Sequence, residues 1–243
     1  MKLTAFIFAR GGSKRIPNKN IKMFAGKPLI AWTIETCLSI DSIERVIVST
    51  DSKKIASISK KYGASVPFLR PKYLSSDIAG EFMSWKHALK YLKKTENYIP
   101  EYFLSLPTTS PLRNKRDILN CVKEIKKKNT DLVLTASKTN LNPYYNMIGK
   151  NKAGNFSLLM NKKKYSNSQD APVVYGLTTV AYLAKSKFIL SLKKSFFETK
   201  NIRIVEIPIE RSLDIDTDFE FKIAEQLMNE RLKKKNELYK KKT

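Results

Sequence analysis

The sequence predicts an α/β fold of three layers, a mostly parallel sheet with helices on both faces. Two observations carry this expectation. Short apolar runs alternate with stretches of helical periodicity from residue 3 to residue 136, the rhythm of repeated βα units. The first of these runs also leads straight into a glycine-containing loop and then a helix. Sheets of this kind bind ligands at the carboxyl ends of their strands.

Taken in order, residues 3–9 read as a buried strand, and residues 28–38 as a helix by the periodicity of Leu29, Ile30, Trp32, Thr33, Ile34 and Cys37, with Pro28 in its first turn. Residues 46–49 are a second buried strand, after which Asp51 and Ser52 cap a helix running to about residue 62. A short strand is expected at 66–69, a helix at 82–92, a strand at 102–106, a helix at 116–127 and a strand at 132–136. The rhythm then breaks. Residues 140–175 are polar, irregular and rich in Asn, Lys and Tyr, and read as a small inserted β-rich lobe. Regular structure resumes at 178–184 and 203–207, and a last helix spans about 217–231. Residues 232–243 form a basic tail, so the expected organisation is one domain over 1–243 carrying an insertion.

Composition excludes several classes. Hydrophobic residues make up 42% of the chain, ordinary for a globular protein. No apolar run approaches the roughly 18–20 residues that cross a bilayer, and residues 3–9 are too short for a signal peptide, so a cytoplasmic protein with no membrane partner is expected. Cys37 and Cys121 fall on apolar helical patterns and read as buried thiols. With His87 the sole histidine, no histidine metal cluster or histidine-centred triad can form within one chain. The net charge of +24, from 46 basic and 22 acidic residues, brings nucleic acid into consideration. The excess is almost all dispersed lysine, however, whereas base readers favour arginine interleaved with aromatics. No nucleic-acid partner is therefore expected, and a basic nucleic-acid-binding protein stands as the rival from a different class.

The chemistry concentrates in two places. Residues 10–20 run Arg-Gly-Gly-Ser-Lys-Arg-Ile-Pro-Asn-Lys-Asn directly after the first strand. Gly11 and Gly12 let backbone amides approach a phosphate, and Arg10, Lys14, Arg15 and Lys19 supply charge for a triphosphate. The spacing fits neither a Walker A loop nor a G-x-G-x-x-G fingerprint. Near the other end, Asp214 and Asp216 lie one residue apart; at the end of a strand they would point the same way and hold Mg²⁺ beside a triphosphate. The competing reading is that Asp216 merely caps the following helix.

At the glycine loop the chain begins to resemble the acylneuraminate cytidylyltransferases, the CMP-sialic acid synthetases and their relatives. The likeness rests on Ala9-Arg10-Gly11-Gly12-Ser13-Lys14 with Asn18-Lys19-Asn20, then Gly26-Lys27-Pro28-Leu29-Ile30, Val48-Ser49-Thr50-Asp51 and Val66-Pro67-Phe68-Leu69-Arg70-Pro71. It continues through Ser110-Pro111-Leu112-Arg113, Gln169-Asp170-Ala171-Pro172 and Asp214-Ile215-Asp216-Thr217, in family order up to about residue 230. Asn142-Pro143-Tyr144-Tyr145-Asn146 looks closer to the legionaminic acid branch.

The resemblance implies a Rossmann-like nucleotidyltransferase fold whose lobe, with Tyr144, Tyr145 and Tyr165, forms a homodimer and reaches the neighbouring active site. It implies transfer of CMP from CTP to the anomeric hydroxyl of a nonulosonic sugar acid by in-line displacement at the α-phosphorus, with pyrophosphate leaving. Arg10, Lys19, Asp214 and Asp216 are the expected catalytic residues, the last two as ligands of Mg²⁺ (or Mn²⁺). CTP is expected against Arg10, Gly11, Gly12, Ser13, Lys14, Asn20, Arg70 and Ser76, with Asp77 beside Ser76. The sugar acid is expected against Thr109, Ser110, Arg113 and Gln169, with the start of the next helix's solvated face an equal alternative for Arg113. Two departures fall on the acceptor side: Pro107 stands where the sialic acid enzymes commonly carry glutamine, and Ser168 where an arginine often precedes the Gln-Asp-x-Pro motif. The rival within the superfamily is a cytidylyltransferase for the shorter sugar acid of lipopolysaccharide.

Overall fold

The computed structural model describes residues 2–75, 80–160 and 165–240. Its centre is a six-stranded sheet built from β1 (Leu3–Phe8), β2 (Ile43–Ser49), β3 (Tyr102–Ser105), β4 (Leu132–Lys138), β5 (Tyr175–Lys185) and β6 (Ile202–Glu206). The strand order is β6-β4-β5-β3-β1-β2. β1 runs parallel to both β2 and β3, and β6 runs parallel to β4. Only β5 is antiparallel to its neighbours, so the sheet is mostly parallel, as the alternation predicts.

Period-two alternation decides what each face packs against. Leu3, Ala5 and Ile7 of β1 join Val46 and Val48 on one face. There they meet Ile30, Ile34 and Cys37 of α1 (Leu29–Leu38) and Ile118, Cys121 and Ile125 of α4 (Lys115–Ile125), while α2 (Lys53–Lys61) adds Ile55. Phe6, Ile47, Phe103 and Leu134 point to the opposite face. They pack under Trp85, Leu89 and Leu92 of α3 (Glu81–Glu96) and Ile189 of α5 (Ser186–Ser191). A third apolar cluster lies beyond the sheet and joins Ile16 of the glycine loop, Phe24 and Ile215 to Phe221, Ala224 and Met228 of α6 (Asp218–Lys240). That cluster brings together two chain segments about 200 residues apart.

Three expectations change. Residues 66–69 do not form a strand: that stretch makes isolated bridges, Ile47 with Ser65 and Thr50 with Leu69, because Pro67 between them has no N–H to continue a ladder. Residues 232–240 of the basic tail are not separate, since α6 runs unbroken through Lys240 on residues of good helix propensity and spans about 34 Å at 1.5 Å per residue, and residues 241–243 lie outside the described residues. Asp51 and Ser52 divide the work expected of them as a cap. Ser52 accepts from the Ile55 amide at 3.4 Å, whereas Asp51 turns to the glycine loop. Within 140–175 the structure forms a small hairpin of Ile148–Lys150 against Phe156–Leu158, with Ile148 and Phe156 exposed.

Candidate active site

The carboxyl ends of β1 and β3 open into a cleft of about 700 Å³. Of the residues expected to serve, Arg10, Ser13, Lys14, Lys19, Asn20, Thr109 and Asp216 line it, together with Arg15 and Pro107. The loop is shaped by hydrogen bonds from beyond it and within it. Asp51 Oδ1 accepts from the Gly11 amide at 2.9 Å, which fixes the start of the turn. The ideal Cβ of an alanine at Gly11 would sit 3.1 Å from Ser52 Cβ, so close approach to α2 is what demands glycine there. Asn20 is buried; its Nδ2 donates to Arg10 O at 2.9 Å and its Oδ1 accepts from Thr108 Oγ1 at 2.6 Å. Asn18 adopts φ 56°, the left-handed turn that asparagine tolerates, and sends Lys19 back toward the cleft.

The acidic segment is not the end of a strand. β6 stops at Glu206, a short 3₁₀ turn occupies Ile209–Arg211, and residues 214–216 follow in a loop. Strand alternation therefore does not aim the two carboxylates. They flank Ile215, whose fully buried side chain is anchored in the third cluster, a burial worth about 1.5–3 kcal/mol. The Ile215 amide donates to Thr109 O at 2.8 Å, and Lys19 Nζ donates to Ile215 O at 2.6 Å. Asp214 Oδ1 accepts from Thr179 Oγ1 at 3.0 Å. Asp216 faces Arg15 Nη1 at 2.6 Å and Lys19 Nζ at 3.4 Å. Nor does Asp216 cap α6. Thr217 does, accepting from the Glu220 amide at 3.3 Å, while Glu220 accepts from the Asp216 and Thr217 amides at 2.8 and 2.7 Å.

Thr179 reaches Asp214 because β5 bulges. Leu134 pairs with Tyr182, but the next residue, Thr135, pairs with Thr178, so residues 179–181 are extra. The Thr135 hydroxyl accepts from the Ala181 amide at 3.1 Å and closes the bulge from within. No residue type at these positions announces a bulge, which is why Thr179 was missed in the sequence.

The remaining expected residues lie elsewhere. Arg70 is buried beside the cleft rather than lining it: its Nε donates to Ser75 Oγ at 3.1 Å, and Arg10 donates to the Ser75 carbonyl at 3.5 Å. Burial lowers the Arg70 pKa, with Asp51 opposing and Arg10 reinforcing that shift. Ser110 is buried against the Thr179 hydroxyl at 2.6 Å. Gln169 is exposed in the lobe and does not line the cleft. Ser76 and Asp77 lie outside the described residues. Arg113 neither faces a sugar pocket nor opens a solvated helix face. Only 2% exposed, it donates inward to Val180 O (2.8 Å), Thr33 Oγ1 (2.9 Å), Pro107 O and Thr179 O (3.3 Å). Burial lowers its pKa to about 10.

A divalent cation can be tested against the donor set. Among the described residues no three His, Cys, Asp or Glu side chains group as a self-sufficient metal site. Two carboxylates flanking one anchored residue, with Asp216 lining a cleft of cationic side chains, instead suit a hard cation that takes its other ligands from phosphate and water. That is the donor pattern of Mg²⁺ rather than of zinc.

Known proteins resemble this chain in sequence and in fold. The chain is 35% identical over 231 residues to the CMP-N,N'-diacetyllegionaminic acid synthase of Legionella pneumophila, covering 94% of this chain and 97% of that one. It is 35% identical over 223 residues to a pseudaminic acid cytidylyltransferase of Campylobacter jejuni, covering 91% and 94%. The fold is that of a CMP:2-keto-3-deoxy-manno-octonic acid synthetase solved with CTP, at a TM-score of 0.70 and 18% identity, with 95% of this chain and all of that one covered. Residues 4–243 match the family model described as Cytidylyltransferase, and the chain belongs to that family.

Proposed function

We propose that this enzyme transfers CMP from CTP to the anomeric hydroxyl of a nonulosonic, sialic-acid-like sugar acid and releases pyrophosphate. The observation that carries the reading is the meeting of Lys19 and Asp216 at 3.4 Å across one cleft, where a cationic phosphate loop and an acidic segment face each other. The relatives named above, whose names specify legionaminic and pseudaminic acids, supply the acceptor class.

In this reading the sugar hydroxyl attacks the α-phosphorus, and the bond to the α,β-bridging oxygen breaks. Such transfers need mainly positioning and charge neutralisation. The loop amides with Arg10, Lys14 and Lys19 hold the triphosphate and neutralise the departing pyrophosphate. Arg15 is available as well, because its pair with Asp216 is solvent-exposed, worth at most about 1 kcal/mol, and readily exchanged for a phosphate. Asp214 and Asp216 would hold Mg²⁺ (or Mn²⁺), which when bound polarises the α-phosphate and lowers the pKa of the attacking hydroxyl. Pro107 lines the cleft where a glutamine amide would face the sugar, so selection among sugar acids falls to other groups.

Two further parts belong to the proposal. The apolar side chains of the lobe, Ile148, Phe156, Leu159 and Val173, are each more than half exposed, and we read them as the contact of a homodimer. The compartment is the cytoplasm, where CTP is supplied; no described helix is long and apolar enough to cross a membrane.

The test is pyrophosphate release from CTP and Mg²⁺ with a panel of eight- and nine-carbon 2-keto-3-deoxy sugar acids. Turnover restricted to nine-carbon acids is expected. Turnover with the eight-carbon acid alone establishes the lipopolysaccharide-type rival. Inertness toward the whole panel, with salt-dependent DNA retention that survives replacing both aspartates by alanine, establishes the nucleic-acid rival.

A further inference from the structure

Arg113 is an oddity of the interior. A guanidinium that is almost wholly buried normally meets a carboxylate, because an isolated buried charge is costly. Among the described residues no carboxylate lies within ion-pair distance of it; the nearby Asp117 is taken by Arg211 at 2.8 Å and caps α4 through Asn114. Its donors instead go to Thr33 and to three carbonyls, those of Pro107, Thr179 and Val180.

Those carbonyls belong to two segments that have lost regular pairing. Pro107 begins the turn after β3, and Thr179 and Val180 form the bulge of β5. Each segment also holds the acidic loop. From the turn, the Thr109 carbonyl accepts from the Ile215 amide at 2.8 Å. From the bulge, the Thr179 hydroxyl donates to Asp214 at 3.0 Å. The Ser110 and Thr179 hydroxyls, 2.6 Å apart, join the two segments directly. We propose that Arg113 is a positioning residue, whose planar fork locks the turn to the bulge and thereby sets Asp214 and Asp216 at their distance from the phosphate loop. It touches neither CTP nor the sugar acid. A lysine would keep the charge but offers one point where a fork serves three segments. The inference rests on the cytidylyl-transfer reading of the cleft and deepens it.

The experiment compares the full-length enzyme with Arg113→Lys, Thr179→Val and the double variant. Thr179→Val keeps the backbone carbonyl that Arg113 holds and removes the hydroxyl that bonds both Asp214 and Ser110. Expected for either single variant are a fall in kcat of about 10–100-fold, the range for residues that orient a ligand from behind, and a KM for the sugar acid within about twofold of the parent. Mn²⁺ binding in the presence of CTP, read from the free-ion electron paramagnetic resonance signal, should weaken by about tenfold or more. The double variant should lose less than the product of the single losses, since both act through one loop.

Arg113→Lys that raises the sugar-acid KM at unchanged kcat and Mn²⁺ binding overturns the proposal and makes Arg113 a substrate ligand. Should Arg113→Lys fail to fold by circular dichroism, Thr179→Val decides alone: unchanged kcat and Mn²⁺ binding refute the proposal. Parent enzyme inert toward every sugar acid refutes the function proposed above, while the Mn²⁺–CTP measurement still reads the positioning.

Discussion

Thr108 donates a 2.6 Å hydrogen bond to Asn20 at the floor of the cleft, and Asn20 in turn donates to the Arg10 carbonyl at 2.9 Å. One buried amide thus spans the turn after β3 and the start of the phosphate loop, with its oxygen and nitrogen each engaged. Removing it by Asn20→Ala leaves a buried hydroxyl and a carbonyl unpaired. A stability loss of about 1–3 kcal/mol is expected, together with a CTP KM raised by about tenfold as the loop loosens. Asn20→Asp should be worse for CTP and no milder for stability, because it keeps the acceptor for Thr108 but loses the donor to the Arg10 carbonyl and sets a buried negative charge beside the triphosphate. Thermal melts and initial rates on both variants check this; an aspartate variant that binds CTP as well as the parent would sink it.

The architecture was largely legible because β1 to β4 obey a simple alternation. Leu3, Ala5 and Ile7 face one way and Phe6 the other, and tertiary context had little to override. The loop at 10–20 was legible because its chemistry is local: glycines, cations and a preceding strand sit within about a dozen residues. What the sequence hid is what the fold makes from distance. Ile16 and Ile215 are unremarkable isoleucines until they share one cluster. Thr179 acquires its role from a three-residue register slip, and hydrophobic period carries no trace of such a slip. Arg113 was misread for a related reason. An arginine after Pro-Leu at the start of a helix looks solvated or ligand-facing, and only the fully assembled turn and bulge show three carbonyls waiting for its fork.

The two loop glycines should separate cleanly. At Gly11 an added methyl meets Ser52 at 3.1 Å and threatens the 2.9 Å bond from its amide to Asp51. Gly11→Ala is expected to cost about 1–3 kcal/mol of stability as well as CTP binding. At Gly12 a Cβ would meet nothing within 4 Å, so Gly12→Ala should leave stability within about 0.5 kcal/mol of the parent and show itself in the CTP KM alone. Equal melting-temperature losses in the two variants would contradict the placement of the loop against α2.

Cys37 and Cys121 are fully buried, and burial pushes both thiols up to about 12. At pH 8 the reactive thiolate is then on the order of one part in ten thousand even before access is considered. Native protein should show no fast reaction with a thiol-selective chromogenic reagent, and two equivalents per chain should react in denaturant. One fast equivalent in the native state would place a cysteine outside the core.

His87 gives the pH dependence a definite sign. Its ring packs edge-on against Phe68, with centroids 5.0 Å apart. Burial first, and the charge of Arg70 second, hold its pKa below the ordinary 6.5. In the unfolded chain the imidazole takes up a proton near 6.5, while the folded chain resists until the pH is lower. The stabilisation from a neutral His87 is therefore fully present above 6.5, falls as the pH drops below it, and levels off below the folded-state value. Carboxylates titrate in the lower part of the same range, so the informative quantity is the difference in melting temperature between the parent and His87→Gln from pH 8 to pH 5. That difference should shift in favour of the glutamine variant as the pH falls, because only the parent then carries the cost of a proton that the fold resists; a shift in the opposite direction would mean that the folded site welcomes the charge.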